Sequence, residues 1–263
     1  MNRVVQELRL FFVALQFLTR VPVPRWVGWE PDWLNRSARW FPLVGLLVGV
    51  VTGAVLWAAS AVFPPAVAVG LSIGAGMLLT GGFHEDGLAD TADALGGAVS
   101  RERALEIMKD SRIGTYGALA LIVVLGLKAA VLAAMVPALA LPALLLAHTA
   151  SRAAAVVLIR VLPYAGDIAH AKAKPLAQRV SGTGVVVALA TVVGVGALLA
   201  ACVPPHGLRV VTGLVMLAIG TVWSIRWLRR RLGGYTGDTL GATQQVTELL
   251  VLLGWLGASR WVS

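Results

Sequence analysis

Three aspartates in the run HEDGLADTADALGG, namely Asp86, Asp90 and Asp93, stand at i, i+4 and i+7. On a helix turning about 100° per residue they project within an arc of about 60° on one face. Carboxylates gathered so closely repel one another unless a cation neutralises them. Oxygen-only ligation suits Mg2+, Mn2+ or Ca2+ better than zinc, and no cysteine or paired histidine stands at ligand spacing nearby. A single D-x-x-x-D would read as a solvated acidic face. Three aligned carboxylates beside an apolar stretch, preceded by His84 and Glu85, point to a metal site instead. Gly97 falls on the same arc, with Gly87 and Gly96 beside it, which leaves room for a bulky phosphate-bearing ligand to approach the backbone. The concentration is uneven along the chain: of 13 acidic residues, seven lie between Glu85 and Asp110.

A second polar run, KDSRIGTYG from Lys109 to Gly117, follows. Lys109 offers a point charge and Arg112 a planar fork for anionic oxygens. Asp110 could serve as a second metal ligand or as an orienting group, and Gly114 and Gly117 would let backbone amides reach a phosphate. The alternative is a plain charged entry to a helix. His148 and Arg152, at i and i+4 in an apolar stretch, must look into the protein interior or a wet cavity. Either pairing with a carboxylate or direct contact with substrate would satisfy them. Lys128 reads as a snorkelling or paired structural residue. Near the C-terminal end, Asp238 lies in a glycine-rich turn with Thr236, Gly237 and Gly241, and Glu248 follows in the next apolar segment. Arg229 to Arg231 suit topology and lipid binding, and tryptophans such as Trp40, Trp223, Trp227 and Trp261 suit interfacial anchoring.

The elements that carry these residues are dictated by composition. With 58% hydrophobic and 13% charged residues, and a mean hydropathy of +0.81, the chain has too little charged surface for a water-soluble globule. Apolar stretches long enough to cross about 30 Å of hydrocarbon run over Trp40 to Phe63, Ala66 to Thr80, Tyr116 to Val136, Leu139 to Leu162, Val185 to Val203 and Leu208 to Trp227, with a marginal seventh from Val246 to Ala258. Val4 to Thr19, with Arg3, Glu7 and Arg9 interleaved, reads as an amphipathic helix at the membrane surface. The expectation is an all-α polytopic transmembrane bundle of six to seven spans plus that helix, in one integral membrane domain covering 1–263.

Orientation follows from the basic residues. Arg20, Arg25, Arg36 and Arg39 precede the first span; Arg101, Arg103, Lys109 and Arg112 fill the second connection; Lys172, Lys174 and Arg179 the fourth; Arg226 and Arg229 to Arg231 the sixth. The turns at Pro64-Pro65, Pro137 and Pro204-Pro205 carry none. The long connections, and the acidic cluster with them, are therefore expected in the cytoplasm of a bacterial plasma or inner membrane. The net charge of +9 is dispersed in short segments, which fits anionic lipid headgroups and argues against nucleic acid. Cys202, the single cysteine, has no disulfide partner and reads as a packing or lipid-facing residue.

Five segments, LQFLTRVPVP from Leu15, FPLVGLLVG from Phe41, GGFHEDGLADTADALGG from Gly81, MKDSRIGTYG from Met108 and GGYTGDTLGATQQVTELL from Gly233, resemble the cobalamin synthase family of adenosylcobinamide-GDP ribazoletransferases, in that family's order. The resemblance implies a Mg2+-dependent membrane enzyme whose partners are adenosylcobinamide-GDP, α-ribazole or its 5′-phosphate, and membrane lipids; the oligomeric state stays open, a homo-oligomer included. It implies Asp86, Asp90 and Asp93 as metal ligands, with Glu85 and Asp110 as further candidates. Lys109 and Arg112 would bind the diphosphate, with Gly114 and Arg152 also in the substrate set, and His84, Glu85 or Asp238 would accept a hydroxyl proton. Two rival readings exist. A transporter for Mg2+ or an anionic solute predicts carboxylates spread through the spans, whereas here they crowd into connections. An alcohol phosphotransferase of the phospholipid type expects D-G-x-x-A-R, and Asp86-Gly87 is followed by Leu88-Ala89-Asp90.

Overall fold

In hydrocarbon every backbone N–H and C=O must be satisfied within its own segment, so apolar runs of this length fold as helices. The computed structural model describes residues 3–166, 177–202 and 206–258, and among them no strand forms. The helices are α1 (Arg3–Leu18), α2 (Pro31–Ser37), α3 (Phe41–Ser60), α4 (Pro65–Thr80), α5 (Phe83–Leu95), α6 (Arg101–Ile107), α7 (Thr115–Ala133), α8 (Pro137–Val161), α9 (Gly182–Cys202), α10 (His206–Arg231) and α11 (Gly237–Ala258). The expected residues Lys172, Lys174, Val203, Pro204, Pro205 and Trp261 lie outside the described residues.

Five helical segments are long and apolar enough to cross a membrane: Asp32–Ser60, Thr115–Ala133, Pro137–Val161, Gly182–Cys202 and His206–Arg231. A sixth arises if α4 and α5 count together, although the chain bends by 91° between them. The expected span at Ala66 to Thr80 is therefore only half of that element. α4 has 16 residues, about 24 Å at 1.5 Å per residue, short of the hydrocarbon thickness. It ends where Gly81 and Gly82 both take positive φ, +74° and +70°, a conformation that closes a helix and costs glycine little.

α8 is the hub. Of its apolar window 89% is buried, against 17% for α9 and 22% for α7, which face outward. Close approach to α8 comes from small residues: Gly45, Gly49 and Gly53 form a stripe on α3, and a Cβ on Gly45 would sit 2.2 Å from the His148 carbonyl oxygen. Lipid gives helices no hydrophobic reason to associate with each other, so such stripes carry the packing. α11, expected as a marginal seventh span, is not among the segments apolar enough to cross; it is the polar inner helix, with Thr239, Gln244, Gln245, Thr247 and Glu248 all buried against its neighbours.

The long connections meet at one end of the bundle and bond to each other. Ala165 N donates to Tyr235 O (2.8 Å) and Tyr235 N to Pro163 O (3.0 Å). Arg101 Nε donates to Leu232 O (2.7 Å), and Arg231 Nη2 to Gly97 O (2.8 Å). α1 joins this end through Glu7, which accepts from Trp40 Nε1 at 3.0 Å and pairs with Arg39 at 3.4 Å. Leu10, Val13, Ala14 and Leu18 bury one face of α1, while Val4, Val5 and Leu8 stay exposed, the two-sided pattern its sequence predicts.

Candidate functional site

α5 lies across the connector end of the bundle, wedged between α7 and α11. Its approach to α11 depends on two glycines. A Cβ on Gly87 would come within 2.7 Å of the Asp238 carbonyl oxygen, and one on Gly241 within 3.2 Å of the His84 carbonyl oxygen. The contact buries His84, Gly87, Leu88 and Thr91 and leaves Asp86 exposed and Asp90 half-buried on another side. Asp86 and Asp90, one turn apart, line an open cleft of about 600 Å3 together with Glu85, Arg20 and Ser111.

Asp93 is turned elsewhere. Its carboxylate accepts hydrogen bonds from the backbone amides of Gly114 (2.7 Å) and Gly117 (2.8 Å), and so caps the N-terminus of α7. The two glycines are needed for this, since a Cβ on Gly117 would lie 2.3 Å from an Asp93 carboxylate oxygen. The sequence expectation that these glycine amides meet a phosphate thus finds them holding a side-chain carboxylate. Among the described residues no three His, Cys, Asp or Glu side chains gather closely enough to enclose an ion. The structure brings Asp86 and Asp90 together on the cleft and commits Asp93 to the cap.

Asp110 and Arg112 bind each other. The guanidinium donates from Nε (3.0 Å) and Nη2 (2.6 Å) to the carboxylate, and this bonding holds the Asp110 carboxyl down to about 2. Both belong to the exposed connection between α6 and α7, as does exposed Lys109. None of the three lines the cleft, although their neighbours Ser111 and Ile113 do.

Behind the cleft runs a buried polar chain. Glu85 Oε1 accepts from Gln245 Nε2 (3.0 Å), and Gln245 Oε1 accepts from Lys128 Nζ (2.8 Å). Lys128 pairs with Glu248 at 2.7 Å, and Glu248 meets His148 Nδ1 at 2.9 Å. Arg152 Nη1 donates to the His148 carbonyl oxygen (3.0 Å). His148 and Lys128 thus pair with a carboxylate, as intramembrane cations usually do, while Arg152 bonds to His148. That carboxylate is Glu248, 1% exposed, at the middle of α11. An inner pocket of about 30 Å3, room for about one water, is lined by His84, Glu85, Arg152 and Glu248 among others. Glu85 alone of these also faces the outer cleft, while His84 is buried on the inner side. Asp238 occupies the first turn of α11, half-buried, its backbone against Gly87.

Two residues gain a place that sequence reading did not give them. Gln245 holds Glu85, and Arg20, read only as a topological charge, lines the cleft. The signal for Arg20 was its position in LQFLTRVPVP at the end of an apolar helix.

A model of the cobalamin-5-phosphate synthase family matches residues 10–256. Curated relatives named adenosylcobinamide-GDP ribazoletransferase include one from Leptothrix cholodnii, 57% identical with 99% of each chain covered, and one from Shewanella amazonensis, 47% identical with 96% of each covered. A third, from Vibrio cholerae, is 45% identical, covering 94% of this chain and 93% of the relative. No solved structure matches.

Proposed function

The chain belongs to the cobalamin-5-phosphate synthase family, and from that premise we propose that it transfers the cobinamide phosphate of adenosylcobinamide-GDP to α-ribazole or its 5′-phosphate. An acceptor ribose hydroxyl oxygen forms a bond to the phosphorus nearest cobinamide, the bond from that phosphorus to GMP breaks, and the hydroxyl proton is taken up by a base. The observation that carries this reading is the cleft of about 600 Å3 with Asp86 and Asp90 side by side on its wall. Phosphoryl transfer asks the protein mainly for positioning and charge neutralisation.

The donor set fits Mg2+. That ion keeps several waters and takes one or two carboxylates plus substrate phosphates, so two aspartates one helical turn apart in an open cleft are sufficient. Asp86 and Asp90 would hold it, and when bound it neutralises developing charge on the phosphate oxygens. Of the three groups considered for the base, Glu85 would accept the proton; its place on the cleft wall and its bond from Gln245 support that choice. We place the connector end in the cytoplasm of a bacterial plasma membrane, because Arg20, Arg101, Arg103, Lys109 and Arg231 cluster on those connections.

The test is purified protein in lipid bilayers given adenosylcobinamide-GDP, α-ribazole and Mg2+, with GMP release followed and Asp90→Ala as control. Rapid release from the wild type and its loss in the variant support the reading. No release from the wild type overturns it.

A further inference from the structure

A cleft that works on a diphosphate needs a fixed cation as well as carboxylates. None of the cations expected from sequence, Lys109, Arg112 and Arg152, lines the cleft; Arg112 is forked onto Asp110, and Arg152 is buried beside His148 on the inner side of the bundle. Arg20 is the one Lys or Arg lining the cleft that also holds Glu85, Asp86 and Asp90. Among the described residues no carboxylate pairs with its guanidinium.

The chain fixes Arg20 in place from both sides. α1 ends at Leu18, where the Thr19 hydroxyl donates to Leu15 O (2.7 Å) and accepts from Val21 N (3.2 Å). The Arg20 backbone N–H then donates to Leu79 O (2.8 Å), which ties it to the last turn of α4. Its side chain crosses Gly81 so closely that a Cβ there would sit 2.6 Å from Nε. The bend between α4 and α5 thus serves three side chains at once, aiming Asp86 and Asp90 from α5 and clearing a bed for the Arg20 guanidinium.

We infer that Arg20 is the anion-binding residue of the cleft and seats the diphosphate of a nucleoside-diphosphate-activated substrate against the Asp86–Asp90 wall. The inference deepens the transferase reading and rests on it for the identity of the nucleotide. Arg suits the task better than Lys, because its planar fork engages two phosphate oxygens and keeps its charge.

The experiment is equilibrium binding of adenosylcobinamide-GDP, of GDP alone and of α-ribazole to the protein in lipid nanodiscs with Mg2+. Arg20→Ala should weaken both diphosphates about thirtyfold, the order of one bidentate charge-assisted contact, and leave uncharged α-ribazole bound as in the wild type. Arg20→Lys should recover part of the loss. Wild-type affinity of Arg20→Ala for GDP, or an equal loss for α-ribazole, overturns the assignment. If the wild type releases no GMP while its GDP affinity still depends on Arg20, the transferase reading falls and the anion site stands.

Discussion

Replacing Asp93 by asparagine separates a helix cap from a metal ligand. The Asp93 carboxylate accepts two amide hydrogen bonds, at 2.7 Å and 2.8 Å, from the first turn of α7. Asparagine keeps one acceptor oxygen and turns an NH2 toward the other amide, so one of two charge-assisted bonds is lost and the other becomes neutral. Bonds to charged groups contribute about 1.5–3 kcal/mol when buried, and deletion of a cap costs about 0.5–2 kcal/mol. Asp93 is half-buried, which places Asp93→Asn near 1–2 kcal/mol, or about 2–6 °C in Tm for a chain of this size. The Mg2+ concentration giving half-maximal GMP release should stay at the wild-type value. Asp86→Asn should do the reverse, raising the Mg2+ requirement at least about tenfold with little change in Tm, and Asp90→Asn should raise the Mg2+ requirement as far. The assay is GMP release titrated with Mg2+, paired with thermal unfolding in detergent. An Asp93→Asn protein with unchanged Tm and a Mg2+ requirement shifted as far as that of Asp90→Asn would refute the cap.

Glu248→Ala strands the buried Lys128 ammonium, 5% exposed, and should cost about 3–5 kcal/mol in unfolding free energy; replacing Lys128 by Met in the same chain should recover much of it, and a loss below about 1 kcal/mol would contradict the pairing. Gly87→Ala drives a methyl to 2.7 Å from the Asp238 carbonyl oxygen, backbone that cannot step aside, so it should cost about 1–3 kcal/mol and depress GMP release. Gly74→Ala, with nothing within 4 Å, should change neither, and equal effects of the two would argue against the α5–α11 crossing. For orientation, in a Cys202→Ser background, a cysteine at Glu102 should react with a membrane-impermeant maleimide only from the cytoplasmic side, and one at Val62 only from outside; reversed labelling would invert the topology.

Hydropathy made most of the spans readable, because lipid selects apolar runs whose length matches its thickness, but it counted α4, too short to cross alone, as a full span. Side-chain direction was less readable. Helical periodicity put Asp93 on the same face as Asp86 and Asp90, but it could not foresee that the amides of Gly114 and Gly117, more than twenty residues on, would claim it. Lys128, His148 and Glu248 each looked exceptional in its own apolar run, and pairing across 100 and 120 residues is a property of packing rather than of any one helix. Arg20 was hidden for a related reason. Its charge served the topology count, while its place beside Gly81 depends on how α1 meets the end of α4.

The polar middle of α11 has a consequence for how the protein is made. A charged residue at mid-helix opposes insertion by about 3 kcal/mol, and Glu248 comes with Gln244, Gln245 and Thr247 as neighbours. α11 packs on α7 and α8, which precede it in the chain and hold Lys128 and His148, so its carboxylate meets counter-charges rather than lipid. A polypeptide cut short before Gly237 would leave the Lys128 ammonium without its counter-charge. The helix that brings the carboxylate thereby completes the charge balance of the bundle's interior.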